Sequence, residues 1–270
     1  MMSCKVYDTL ILSDLHLGSE LSRARDARHM LEQNCFRRLI LLGDIFSDLN
    51  FRRLNKEHWK FLGCIRKLSN PKRNIEVVWV EGNHDTGLSN IMSHLVGVRV
   101  YQEYAWTFDG RRHLAIHGHQ FDRFVLNNYL FANVMSAIHL QMQKLDFERK
   151  QFSRFVDRFN TRWLRLSSKV TLGAFVHARS RHADRIFCGH THVAMSREED
   201  GIEYYNTGGW TDSSPTYVTV GAEGVCIHEY EQRSDDRDSG EERSGDDSAL
   251  ADFIDEAGLS GDLDYQNISS

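Results

Sequence analysis

The sequence has no C-x-x-C pair. Its five cysteines, Cys4, Cys35, Cys64, Cys188 and Cys226, are scattered along 270 residues. That excludes a zinc ribbon and a thioredoxin-type redox motif. An odd count without a framework points to a reducing compartment, where isolated cysteines act as small buried hydrophobes. A secretory signal is also lacking: the first apolar run, residues 9–12, is too short for a signal core and leads straight into Asp14. No apolar run is long enough to span a bilayer. These absences predict a cytoplasmic protein, with peripheral contact at the inner membrane face left open. The formal net charge of −5 is mild, but it averages unlike regions of the chain.

What the chain does have is a series of five short clusters rich in His, Asp and Asn. They are Asp14-Leu15-His16, Gly43-Asp44, Gly82-Asn83-His84-Asp85, His117-Gly118-His119 and Gly189-His190-Thr191-His192. Most follow a short apolar run. Residues 6–13, 38–42 and 75–80 are apolar or β-branched and predict buried strands. Helical spacing over residues 23–35 and 55–68 lies between them. A strand–loop–helix rhythm of this kind predicts parallel βαβ units with polar loops at the carboxyl ends of the strands, where open α/β sheets place their ligands. Residues 99–108, 113–116, 186–188, 203–206, 216–220 and 225–230 continue in strand character, with turns at Asp109-Gly110 and Glu223-Gly224. The fold class predicted is α/β: a two-sheet sandwich flanked by helices.

Between His119 and Ile186 the pattern changes. Residues 124–176 have no proline, few glycines and two apolar stripes at helical spacing. We expect an inserted helical cap over about residues 123–183, within a folded domain of residues 1–230. The insert is basic, and Arg154, Arg158, Arg162, Arg165 and Lys169 recur at helical spacing. Such a ridge is either a solvated helix face or a contact for an anionic partner. Residues 231–270 are acidic and poor in apolar side chains, so an unfolded tail is expected there.

Divalent metals that activate water are held by carboxylate and imidazole groups with coordination positions left open. Asp14 and His16 grip from one strand end, and Asp44, placed between the other clusters, is the natural bridge between two ions. Asn83 offers an amide oxygen, and His117, His190 and His192 add nitrogens. This mixed N and O set, without thiolate, favours Mn²⁺, Fe or Zn²⁺ over Mg²⁺. The remaining histidines, such as His58 and His113, read as structural. His119, two residues after His117, is a candidate for touching metal or substrate.

The order D-x-H, G-D, G-N-H-D, lone His and G-H-x-H resembles that of the calcineurin-like metallophosphoesterases, over Asp14 to His192. The resemblance implies two divalent ions, with Mn²⁺ placed first. One would be held by Asp14, His16, Asp44 and His192, and the other by Asp44, Asn83, His117 and His190. It implies hydrolysis of a phosphodiester or diphosphate linkage by a hydroxide held between the two ions. His84 would be the acid near the substrate and Asp85 the group orienting it.

Further motifs resemble the bacterial UDP-2,3-diacylglucosamine diphosphatase group of lipid A biosynthesis. They are Gly43-Asp44-Ile45-Phe46 with Asp48, His117-Gly118-x-Gln120-Phe121-Asp122, and Asn206-Thr207-Gly208-Gly209-Trp210. That group carries a helical cap at the position of the insert. The resemblance implies an anionic, acylated, nucleotide-linked substrate, with peripheral membrane contact through the basic cap. Arg123, Asn127, Asn128, Arg154 and Arg158 are candidate substrate contacts by location. The sequence departs from the well-known members at His84, where they have Arg, and at His119, where they have Asp. Alternatives are a nuclease-like or small-molecule phosphodiesterase, with the basic ridge on nucleic acid, and a non-catalytic scaffold of the same fold.

Overall fold

A computed structural model describes residues 5–48, 50–87, 94, 96–122 and 156–231, the last span with side chains from 167 onward. Strands β1 (Val6–Leu12), β2 (Cys35–Leu42), β3 (Glu76–Val80) and β4 (Val100–Tyr101) pair in parallel. Beside β1, the antiparallel β10 (Thr216–Gly221) and β11 (Gly224–Glu229) complete a six-stranded sheet. The second sheet holds β5 (Glu103–Phe108), β6 (Arg111–Ile116), β7 (Arg185–Cys188), β9 (Ile202–Asn206) and β8 (Met195–Glu199), in that spatial order. In it β6, β7 and β9 are parallel.

Side chains alternate across a strand, and this alternation builds four layers. On β1 and β2, Leu10, Leu12, Leu39 and Leu41 face a cluster with Ala27, Met30, Phe61 and Ile65. These come from helices α1 (Ala24–Gln33) and α2 (Lys56–Leu68). The intervening Ile11, Ile40 and Leu42 join Val78, Val80, Trp106, Ala115, Phe187 and Val218 in a core between the sheets. On the far side Leu114, Ile116, Ile186, Cys188 and Tyr204 pack on Val170, Ala174, Phe175 and Ala178 of helix α3 (Val156–Ser180). Leu10, Leu12, Leu39 and Leu41 are fully buried, and each contributes about 1.5–3 kcal/mol. Strands buried on both faces give the continuous apolar runs that the sequence displays.

Local signals fix the edges of these elements. The Asn55 side chain accepts from the His58 backbone N–H while His58 Nδ1 accepts from the Asn55 N–H, a reciprocal cap that starts α2. The β5–β6 hairpin turns on Asp109 and Gly110, both at positive φ (51° and 70°), as a two-residue turn demands.

Several expectations are corrected. Residues 99–108, read as one strand, are two: β4 ends at Tyr101 in the first sheet and β5 begins at Glu103 in the second. Strand β8 was not foreseen. It is an edge strand whose residues are exposed after Met195, so it lacks the apolar signal. The carboxyl half of α3 is a layer of the sandwich, so the cap expected over residues 123–183 overlaps the core from Val170 onward. Residues 123–155 lie outside the described residues, as does the acidic tail from 232. Cys64, Cys188 and Cys226 are free thiols, half-buried, buried and exposed respectively. Cys35 is disulfide-bonded, contrary to the reading of all five as isolated hydrophobes. Among the described residues no helix is long and apolar enough to cross a membrane.

Candidate metal centre

In each sheet the parallel strands end on the same side, and the loops that leave them carry the clusters. Ser13 to His16 follow β1, Gly43 and Asp44 follow β2, and Gly82 to Asp85 follow β3. His117 follows β6 and His190 and His192 follow β7. The loops within each sheet are tied to one another at this end, and one bond, from His190 to Asp14, joins the two sheets. The Asp14 N–H donates to the Gly43 carbonyl (3.0 Å), the Gly189 N–H to the His117 carbonyl (3.0 Å) and the His190 N–H to Asp14 Oδ2 (3.0 Å).

The backbone is bent to aim these side chains. Asp14, His16, Asp44, His190 and His192 all have φ between 50° and 68°. That left-handed region is uncommon outside glycine but accessible to Asp and His, and where such residues cluster, a site is the usual reason. Two glycines allow the loops to close on one another. A Cβ on Gly82 would lie 2.2 Å from the backbone N and Oδ1 of Asp44, and one on Gly189 would lie 2.5 Å from Asp14 Oδ2.

Among the described residues, three groups bring ligand atoms within 4.8 Å of one another: Asp14, His16 and His192; His16, Asp44 and His84; and Asp44, His117 and His190. They share His16 and Asp44, so six of the expected ligands, all but Asn83, form one continuous cluster together with His84, and Asp44 belongs to two of the three groups. Asn83 is exposed on the loop between Gly82 and His84.

The polar atoms inside this cluster fit divalent cations. Asp14 Oδ2 accepts from Ser13 Oγ and the His190 N–H. Its Oδ1 is buried without a hydrogen bond and lies 3.3 Å from His192 Nε2. His16 Nε2 and His192 Nε2 stand 3.3 Å apart, with their rings stacked. His117 donates from Nδ1 to the Leu42 carbonyl (2.8 Å), so the neutral ring keeps its lone pair on Nε2. That buried Nε2 has no hydrogen-bond partner and lies 3.3 Å from Asp44 Oδ2. Lone pairs turned toward lone pairs are stable when a cation sits between them.

The electrostatics agree. Burial would raise the Asp44 carboxyl, but the contacts from His117 and His84 outweigh it and hold Asp44 well below the usual carboxylate range. Burial would lower His117, but Asp44 and Asp14 raise it to about 9. Without a metal, the same carboxylates favour a positive charge at this spot. A ligand set of N and O without thiolate suits Mn²⁺, Fe²⁺ or Zn²⁺. Any of these at 100 times its Kd should stabilise the fold by about 2.7 kcal/mol per ion, which raises Tm by about 5–10 °C in a domain of this size. A melting midpoint unmoved by all three would show that the cluster holds none of them.

His84 is exposed beside the cluster. Its ring meets His16 edge-on, with centroids 5.1 Å apart, and its Nδ1 bonds the Ser47 carbonyl at 2.7 Å. The orienting group is therefore this carbonyl and not Asp85. The buried Asp85 carboxylate accepts instead from the backbone N–H groups of Ile45 (3.1 Å) and Phe46 (2.9 Å), pinning the loop that follows Asp44. Burial pushes the Asp85 carboxyl up to about 6.

His119 belongs to none of the three groups. It faces His117 and His190, with ring centroids 5.5 and 6.3 Å away, and its Nδ1 is buried without a hydrogen bond. Burial, with His117 and His190 beside it, pushes its imidazole down to about 4. Arg123, Asn127, Asn128 and Arg154 lie outside the described residues, and Arg158 lies on α3 where only backbone is described.

Several supporting residues carried no role in the sequence reading. Ser13 Oγ meets Thr207 Oγ1 at 2.6 Å, Asn206 Nδ2 donates to the Gly189 carbonyl (2.7 Å) and the Trp210 N–H donates to the Asp14 carbonyl (3.1 Å). The Asn206-Thr207-Gly208-Gly209-Trp210 motif thus braces the Asp14 and Gly189 loops. Asp122 Oδ2 lies 2.8 Å from His190 Nε2.

The sequence profile of the calcineurin-like phosphoesterase superfamily domain matches residues 8–232. No curated protein matches the chain with significance. Among solved structures it is similar to an archaeal phosphodiesterase, at 16% identity and TM-score 0.46, covering 82% of this chain and 98% of that one. It is also similar to Yfce, a phosphoesterase from E. coli, at 14% identity and TM-score 0.45, covering 80% and 90%. A third is vacuolar protein sorting 29 from Cryptosporidium parvum, at 15% identity and TM-score 0.45, covering 85% and 94%.

Proposed function

Since the chain belongs to the calcineurin-like phosphoesterase superfamily, we propose that it hydrolyses a diphosphate or phosphodiester linkage in a nucleotide-linked, acylated substrate, as a UDP-2,3-diacylglucosamine diphosphatase-like enzyme. The observation that carries the phosphoesterase reading is the convergence of Asp14, His16, Asp44, His84, His117, His190 and His192 into one cluster at the strand ends. Bound there, two divalent cations would supply a deprotonated water and neutralise charge on the phosphoryl oxygens.

The protein's own contribution is placement. Asp14 and His192, with His16, would hold one ion, and His117, His190 and Asn83 the other, with Asp44 shared. His84 stands at the open edge with Nδ1 committed to the Ser47 carbonyl, which leaves Nε2 for the substrate. With Nδ1 donating to that carbonyl, a proton carried on Nε2 can pass to the leaving oxygen. Asp85 keeps the Asp44 loop fixed through two backbone N–H groups. Support for the acylated, anionic substrate comes from the basic and apolar sequence between residues 123 and 169, ahead of the part of α3 that packs in the core, which also fits peripheral contact with an anionic membrane face.

The test compares UDP-2,3-diacylglucosamine with bis-p-nitrophenyl phosphate in Mn²⁺, using wild type and His84→Ala. The variant is expected to lose about 10²–10⁴-fold in kcat/KM while keeping its metal content. Cleavage of the small diester alone would overturn the lipid-linked substrate and leave the phosphoesterase chemistry in place.

A further inference from the structure

The turn that follows His117 carries an acidic side chain to the edge of the centre. Gly118, at φ 112°, accepts the Phe121 N–H at its carbonyl (3.0 Å), and the His119 carbonyl accepts the Asp122 N–H (3.2 Å). Phe121 is buried against α3 so closely that a Cβ on Gly173 would lie 2.6 Å from it. Phe121 therefore anchors the turn that carries Asp122. One of its oxygens, Oδ2, meets His190 Nε2 at 2.8 Å, and the other, Oδ1, is buried without a hydrogen bond. The His190 backbone is anchored as well, its N–H held by Asp14 Oδ2 at 3.0 Å.

A carboxylate accepts and does not donate. The proton between Asp122 and His190 therefore sits on Nε2, and the neutral ring has its lone pair on Nδ1. His117 is set the opposite way, because its Nδ1 donates to the Leu42 carbonyl and Nε2 faces Asp44. We propose that Asp122 is a positioning residue of the metal centre, fixing the tautomer and orientation of His190 so that Nδ1 is presented to the ion shared with Asp44 and His117. The inference rests on the two-metal reading above. Carboxylate partners of this kind raise the basicity of a ligating imidazole and are typically worth 10–100-fold in metal affinity.

The experiment is a calorimetric titration of metal-free protein with Mn²⁺, paired with metal analysis, for wild type, Asp122→Ala and Asp122→Asn. Wild type should take up two ions. Asp122→Ala should bind one of them about 10–100-fold more weakly and the other within about twofold of wild type. Asp122→Asn, whose amide oxygen still accepts from Nε2–H, should recover most of the loss and guards against a folding defect in the alanine variant. Nitrogen-15 spectra of the metal-free protein should show His190 as the Nε2–H tautomer in wild type and a mixture in Asp122→Ala. Two-ion binding unchanged in Asp122→Ala, or weakened equally at both sites, would overturn the role of Asp122 alone. Failure of wild type to bind two ions would overturn the two-metal reading beneath it.

Discussion

Asp44→Ala is expected to lower kcat/KM for a phosphodiester by about 10⁴-fold and to strip both ions of the proposed two-metal centre. The size follows from position. Asp44 is shared by the group with His16 and His84 and by the group with His117 and His190. A bound cation supplies several kcal/mol of charge stabilisation in the transition state. Each 1.36 kcal/mol is a factor of ten, so losing about 5 kcal/mol costs about 10⁴-fold. Single-ion ligands on one side of the centre, such as His192, should cost less, because the other ion is retained.

Asp44→Asn separates charge from shape. Its amide oxygen can still accept the His84 N–H that now reaches Oδ1 at 2.9 Å, so the loop after β3 should stay in place. The negative charge that holds His117 protonated in the metal-free protein is gone. Both variants should melt cooperatively, with no added stability in Mn²⁺. Retention of more than a tenth of wild-type activity by either, with metal still bound, would remove Asp44 from the middle of the centre.

The strand scaffold was legible because both faces of β1, β2 and β3 are buried, and double burial writes an unbroken apolar run such as RLILL before Gly43. The Asp109-Gly110 turn was legible because a two-residue hairpin needs positive φ twice. Edge strand β8 was not, since residues that face water carry no apolar period. Nor was the transfer of chain from one sheet to the other at Gln102, where strand character continues on both sides while the pairing partner changes.

In the site, residue types announced themselves and orientations did not. Asp85 sits next to His84 in sequence, which suggested a pair. A backbone that turns between them sends Asp85 inward to the Ile45 and Phe46 N–H groups and leaves His84 to the Ser47 carbonyl. A carbonyl acceptor leaves no trace in side-chain identity. Asp122 has no role legible in the sequence, because its partner His190 is 68 residues away and only the fold brings them together.

The glycine of Gly82-Asn83-His84-Asp85 has a role that can be isolated. Gly82→Ala adds one methyl group, and that methyl would lie 2.2 Å from both the backbone N and Oδ1 of Asp44. The obstacle is the backbone of the loop after β2, pinned by Asp85 through Ile45 and Phe46, so it does not yield as a flexible side chain would. Either the Asp44 loop or the Asn83-His84 loop must shift. Displacement of about 1 Å in a catalytic constellation costs about 10²-fold, and overpacking of this kind costs about 1–3 kcal/mol of stability. Gly110→Ala is the matched control. It sits at φ 70° in the β5–β6 turn with nothing within 4 Å of a Cβ, so it should cost about 1 kcal/mol of stability and no activity. Steady-state kinetics and thermal melts on the two variants separate the effects. If Gly82→Ala matched Gly110→Ala in both, the close approach of the two loops would have no part in holding Asp44 and His84 in register.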